Sequence, residues 1–223
     1  MRLVSALSGK TGPAVRAKRC FDVVISLGLL IALLPLIVLI GACVRVLSGP
    51  PTIYRARRAG RHGACFQMLK FRTMVAGAGG PRITGVADDR VTGVGRVLRR
   101  TKLDELPQLV NVLRGEMSMV GPRPEDPRFV ALYTDEERQV LSVRPGVTSP
   151  AALEYWDEAR LLKAPENQRE LDYVREVMRV KLALDLDYVR RRTLWLDIAV
   201  LVRTVHAVLR PRGAARRRAG ELP

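Results

Sequence analysis

An Asp-Glu pair follows a run of cations in Arg99-Arg100-Thr101-Lys102-Leu103-Asp104-Glu105-Leu106-Pro107. A carboxylate beside Arg and Lys near a helix start stays ionised, and it can bind Mg²⁺ or attack phosphorus. Phosphoryl transfer needs this combination: guanidinium groups and a hard cation neutralise the phosphate oxygens while a nucleophile is held in line. Arg99 and Arg100 supply that charge beside the pair, and Arg123, fixed between Pro122 and Pro124, is a rigid bidentate phosphate donor. Lys70 and Arg72, in Lys70-Phe71-Arg72-Thr73-Met74, add candidate phosphate contacts. Each feature also has a plainer reading. Thr101 or Asp104 could cap a helix with Pro107 in its first turn, and alternate basic residues on a strand are often its wet face.

Other chemistries find little support. Cys20, Cys43 and Cys65 show no CxxC spacing, and only His62 and His206 could join them, so a zinc site or disulfide framework is not expected. Two histidines also leave few chances for a Ser-His-Asp or Cys-His arrangement. Asp185-Leu186-Asp187 imitates a metal-binding DxD of sugar-only transferases, and Asp88-Asp89 is a further acidic pair. Both fall in charged helical or loop contexts that favour the surface.

The elements around these residues can be read coarsely. Residues 52–54 and 66–71 suggest short strands about a turn at Gly60 to Gly63, and residues 77–81 a glycine loop. Residues 91–100 form a basic helix, while Leu106, Leu109, Val110 and Leu113 recur at helical spacing until Gly115. The prolines about Arg123 demand an extended or turning loop. Residues 133–141 and 168–188 read as charged helices. Residues 194–209 are largely apolar but carry Asp197, Arg203 and His206, which suits a helix at a lipid headgroup layer or one packed on the domain.

Residues 23–44 carry no charge, a length that at about 20 residues per span reaches across a bilayer core. It is too long for an ordinary signal-peptide core, although Ile40-Gly41-Ala42-Cys43 resembles a lipoprotein box. Lys18 and Arg19 precede it and Arg45, Arg55, Arg57, Arg58 and Arg61 follow, so neither flank reads as the translocated end. Pro35 near its middle removes a backbone donor and predicts a sharp bend. A bent re-entrant hairpin and a kinked spanning helix both remain open on these grounds. The formal charge of +16, from 38 Lys and Arg against 22 Asp and Glu, favours a polyanionic partner. Aromatic residues are only 5% and do not interleave with basic ones, which disfavours nucleic acid and leaves anionic lipid or phosphorylated substrate. A basic adaptor tethered to a membrane would also explain charge and apolar segment, but not Asp104-Glu105 beside Arg123.

The run from Leu103 to Pro124, with Asp104-Glu105-Leu106-Pro107-Gln108, Gly115-Glu116-Met117-Ser118-Met119-Val120 and Gly121-Pro122-Arg123-Pro124, resembles the central signature of the bacterial sugar transferases, the small monotopic phosphoglycosyl transferases. Lys18-Arg19-Cys20-Phe21-Asp22, Lys70-Phe71-Arg72-Thr73-Met74 and Val143-Arg144-Pro145-Gly146-Val147-Thr148 match in the same order. The resemblance implies an α+β, mainly helical chain in four parts: a flexible basic N-terminus (1–17), a re-entrant membrane helix broken at Pro35 (18–48), a cytosolic catalytic domain with short strands and amphipathic interfacial helices (49–210), and a disordered basic tail (211–223). It implies a Mg²⁺-dependent Asp104-Glu105 dyad at the inner membrane's cytoplasmic face. Asp104 would attack the sugar-linked phosphate of a UDP-sugar, release UMP, and pass the phosphosugar to undecaprenyl phosphate. Glu105 would handle protons or metal, and Arg123, Arg99 and Lys70 would hold phosphates. Self-association is left open. Leu34 before the helix-breaking proline departs from the pattern, as does Ser149-Pro150-Ala151-Ala152 leading into Glu154-Tyr155-Trp156-Asp157, where sugar recognition could be shaped.

Overall fold

The computed structural model describes residues 12–80, 83–84, 88–156 and 168–209. The basic tail over 211–223, the start of the N-terminus, Pro81 of the glycine loop and Asp157 lie outside the described residues.

Two helices open the chain, α1 (Pro13–Ala32) and α2 (Leu34–Ser48), bent by 63° at Leu33. The last turn of α1 closes with Leu33 N–H donating to Leu29 O, and α2 begins with Ile37 N–H donating to Leu33 O. Pro35, in the first turn of α2, needs no donor there, so the chain restarts as a new helix where Pro would have broken the old one. The bend is where the sequence places it, while α1 begins at Pro13, ahead of the expected start at Lys18. No single helix among the described residues is long and apolar enough to cross a membrane, but this bent pair passes that test together.

Helix α1 is inverted relative to a helix of a water-soluble core, whereas α2 buries Ile40 and Val44 and exposes other apolar residues. Buried positions in α1 are Asp22 and Ser26, whereas Val24, Leu27, Leu29, Ile31, Leu34, Val38 and Leu39 are exposed. Asp22 is held by Lys18 Nζ (3.0 Å), Ser118 Oγ (3.0 Å) and the Met119 N–H (3.1 Å). Lys18 also pairs with Asp197 (2.9 Å), which accepts from Tyr188 Oη (2.6 Å). A buried polar network therefore fastens the first helix to the domain, and its charges are paired as burial requires.

The hairpin β1 (Ile53–Ala59) and β2 (Cys65–Phe71) is antiparallel, with Ile53 opposite Phe71 and Ala59 opposite Cys65. A short turn, Arg61–Gly63, joins them, so the first strand is longer than expected. Helix α3 (Gly93–Thr101) is capped by Thr92 Oγ1, which accepts the Gly95 N–H. Gly95 must be glycine because a Cβ would meet Thr73 O at 2.1 Å, and this close approach holds α3 against the chain leaving β2. Helix α4 (Gln108–Arg114) ends at Gly115, whose φ of 83° supplies the left-handed cap. Then β3 (Ser118–Val120) pairs in parallel with β4 (Gly146–Thr148), across the short helix α5 (Pro127–Val130).

Residues 133–141 do not form the charged helix expected of them. A 3-10 helix covers Glu137–Ser142 instead, and ahead of it Thr134 and Glu137 bond reciprocally, Glu137 Oε2 accepting the Thr134 N–H at 2.7 Å and Thr134 Oγ1 the Glu137 N–H at 3.3 Å. After β4 come α6 (Pro150–Glu154), α7 (Arg169–Asp172) and α8 (Arg179–Arg191), the last two joined by a π-helical stretch, Tyr173–Met178. Helix α9 (Leu194–Leu209) has the bounds read from the sequence and repeats the inversion of α1. It buries Asp197 and Val200 and exposes Trp195, Val202, Val205 and Leu209.

Candidate active site

Asp104 and Glu105 lie in one 3-10 turn, Leu103–Glu105, between α3 and α4. Lys102 leads into it with φ 60°, a left-handed conformation unusual for a residue with a β-carbon, and ends α3 by giving its N–H to Arg99 O. Leu103 and Leu106 on either side pack with Ile40, Val44, Phe71 and Leu98, so apolar flanks fasten the turn that carries the acids. Both acids are nearly buried, at 6% and 9% exposure. The helix-cap readings fail: Thr101 Oγ1 turns back to Val97 O and Leu98 O inside α3, and no side chain caps α4.

Glu105 is gripped by cations. Its Oε1 accepts from Lys70 Nζ (3.0 Å) and Arg123 Nη2 (2.5 Å), and Oε2 from Arg123 Nη1 (3.3 Å). Burial pushes its carboxyl up, but Arg123, Lys70 and Lys102 outweigh that and hold it well below the usual carboxylate range. Asp104 has the opposite balance. Burial, reinforced by the Glu105 charge, prevails over Lys70, Lys102 and Arg99 and raises its carboxyl. Its Oδ1 is buried with no hydrogen-bond partner among the described residues. Two adjacent acids thus have different environments: one is a fixed anion between two cations, the other keeps an uncommitted oxygen.

Of the residues read from the sequence, Lys70 and Arg123 touch the dyad, and Arg99 acts on Asp104 by charge while its Nε donates to Thr73 Oγ1 (2.8 Å). Arg72 is not brought to the dyad. Its guanidinium is buried and donates to Ser48 O, Gly49 O (2.7 Å) and Pro50 O at the end of α2. Arg100 lies exposed on α3. Lys102, not singled out by the sequence reading, joins the cradle: burial pushes its amine down, repulsion from Arg123 and Lys70 adds to this, and its Nζ lies 5.5 Å from the Trp156 ring centre. Gln108 was also missed. It is fully buried, and neither amide atom has a partner among the described residues. Its place four residues beyond Asp104, inside the run that resembles the family signature, was the available signal.

The loop around Arg123 is positioned from a distance. Asp185 Oδ2, on α8, accepts the Arg123 N–H at 3.1 Å. Burial raises the Asp185 carboxyl to about 6 against the pull of Arg123, Ser149 and Lys181. This disposes of the Asp185-Leu186-Asp187 metal reading, since Asp185 is buried while Asp187 is exposed and paired with Arg191 (2.8 Å). Asp88 likewise pairs with Arg90 (2.6 Å).

A buried acid with one free oxygen, an ion-paired partner and four surrounding cations is an arrangement suited to chemistry on a phosphorylated substrate. The model of the bacterial sugar transferase family matches residues 14–211, so the chain belongs to that family. It is similar to a UDP-glucose:undecaprenyl-phosphate glucose-1-phosphate transferase of Caulobacter vibrioides, 39% identical over 197 residues that cover 86% of this chain and 69% of that one. An undecaprenyl-phosphate galactose phosphotransferase of Salmonella typhimurium is 37% identical over 214 residues, 88% of this chain but only 41% of the longer relative. The exopolysaccharide production protein ExoY of Sinorhizobium fredii is 36% identical over 217 residues, 89% of this chain and 88% of that one.

Proposed function

We propose that the chain transfers a hexose-1-phosphate from a UDP-sugar to undecaprenyl phosphate at the cytoplasmic face of the inner membrane, an initiating step of exopolysaccharide or glycan assembly. The names of the relatives support the substrates and the reaction class. The observation that carries the mechanism is the unpartnered, buried Asp104 Oδ1 set among Lys70, Lys102, Arg99 and beside Glu105. In the first step an Asp104 carboxylate oxygen bonds to the sugar-linked phosphorus as the bond to the UMP oxygen breaks, and UMP leaves with that electron pair. In the second, a phosphate oxygen of the acceptor bonds to the same phosphorus and the acyl-phosphate bond breaks, restoring the Asp104 carboxylate. Lys70, Lys102 and Arg123 offset the charge of the diphosphate and of the transition state. Glu105, already engaged by Arg123 and Lys70, orients those two cations, a role that its ion pairs favour over proton transfer.

Mg²⁺ fits this site at Asp104, whose free carboxylate oxygen is a hard donor lacking a partner. No three His, Cys, Asp or Glu side chains cluster among the described residues, so phosphate and water would complete its shell. Bound there, it would neutralise phosphate oxygens and restore the anionic form of an acid that burial disfavours.

The bent pair α1 and α2 is read as a re-entrant membrane segment, and α9 as an interfacial helix. The support is the exposed apolar residues of all three helices and the buried acids of α1 and α9.

Asp104→Asn tests the core of the proposal. It should abolish turnover and, in wild type supplied with labelled UDP-sugar but no acceptor, label should remain on the protein at Asp104 with release of UMP. Turnover by the variant, or UDP as the nucleotide product, would exclude this mechanism.

A further inference from the structure

A groove of about 520 Å³ lies where α1 meets the loop before β4, at the opposite end of α4 from the dyad. We propose that it is a binding site for the headgroup of an anionic phospholipid, with the acyl chains following the apolar face of α1 into the bilayer. The inference rests on the membrane reading above.

Three arginines, Arg16, Arg19 and Arg144, are among the residues that line the groove, and no acidic residue is. Its remaining wall is Val15, Val23, Val24 and Cys20. Arg19 donates to Val112 O (2.6 Å) and Leu113 O (2.9 Å), and Arg144 Nε to Gly115 O (2.7 Å). These bonds fix two of the cations on the carbonyl end of α4, so the charge is built into the fold rather than carried on free surface side chains. Arg16 is exposed and has no hydrogen-bond or ion-pair partner among the described residues. The positive charge is poorly offset: burial and repulsion from Arg19 and Arg61 all press on Arg144, and Asp22 is the acid that answers them. Asp22 is itself buried and engaged with Lys18, Ser118 and Met119.

Charge and apolar surface are continuous here. The wall residues Val23 and Val24 begin the uncharged face that runs on through exposed Leu27 and Ile31. A phosphodiester on the arginines with hydrocarbon along that face satisfies both halves of the groove, which a soluble anion does not. The acceptor is a poorer occupant. Helix α4, about 10 Å long at 1.5 Å per residue, separates the groove from the dyad, and a phosphate held here could not reach Asp104.

Cys20 is an exposed wall residue and so a probe of occupancy, with exposed Cys65 on β2 as an internal reference. The full chain is placed in phosphatidylcholine discs, with or without phosphatidylglycerol, and the rate of labelling by an uncharged maleimide is measured at each cysteine. Phosphatidylglycerol should slow Cys20 and spare Cys65, by about tenfold where lipid exceeds its dissociation constant about tenfold. Arg16→Glu should restore the Cys20 rate. Equal slowing in wild type and Arg16→Glu would reduce the effect to surface potential and overturn the site, as would protection by soluble glycerol phosphate matching that by the lipid. A chain that enters neither kind of disc would defeat the membrane reading itself.

Discussion

Arg123 grips Glu105 through both terminal nitrogens while its own backbone is held by Asp185, so its fork is fixed from two sides. A lysine keeps the charge but not the fork, and Arg123→Lys should lower kcat/KM for the donor by about tenfold or more, roughly 1.4 kcal/mol of transition-state stabilisation. A near-normal rate would remove Arg123 from the phosphate cradle. Asp185 allows a test by pH. Its carboxyl, raised to about 6 in the fold from 3.8, makes the folded protein bind more protons than the unfolded chain between those values. Stability from this group is therefore present below that window and is lost as pH rises through it, by about 3 kcal/mol in full. Asp185→Asn removes the charge and keeps an acceptor for Arg123, so it should melt above wild type at pH 7.5, with the gap closing toward pH 4. A gap independent of pH would mean that Asp185 is not the titrating group.

Local pattern carried the elements whose causes are local. Pro35 placed the bend, Gly115 the end of α4, and the uncharged and polar residues of 194–209 the bounds of α9. The Asp-Glu pair, Lys70 and Arg123 were legible because their residue types suit one chemistry, and the fold does bring them together. What could not be read is what stands opposite a side chain. Alternation along β2 says that Lys70 and Arg72 share a face of the chain, not that one meets Glu105 and the other the carbonyl end of α2. Nor does any local signal join Asp22 to Ser118, or reveal that β3 and β4 pair in parallel. The corrected role of Arg72 is testable at the same scale. Arg72→Met strands the last carbonyls of α2 and should cost about 1–3 kcal/mol in thermal or denaturant unfolding. The folded fraction should keep the wild-type KM for the UDP-sugar, and a raised KM at unchanged stability would return Arg72 to the substrate.

Across the whole molecule, the geometry of α1 and α2 supports the proposed re-entrant form over a helix that crosses the bilayer. The uncharged part of α1, residues 23–32, makes an arm of about 15 Å at 1.5 Å per residue, and residues 34–44 of α2 make a second of similar length. Joined at 63°, the two arms span about 26 Å end to end, short of a hydrocarbon core of about 30 Å. Entered symmetrically from one side, the same arms dip about 8 Å, which stays within a single leaflet. The re-entrant form also keeps Lys18 and Arg19 on the same aqueous side as Arg55, Arg57 and Arg58, with Lys18 still paired to Asp22 and Asp197. A spanning form would draw that paired lysine and the helix beneath it away from the domain to which they are bonded. Single cysteines at Ala17 and at Thr52, in a background lacking Cys20, Cys43 and Cys65, should therefore both resist an impermeant thiol reagent in intact cells and both react once the membrane is opened. Labelling of the Ala17 position from outside would establish a crossing helix, and it would require the Lys18–Asp197 pair to be broken in the membrane.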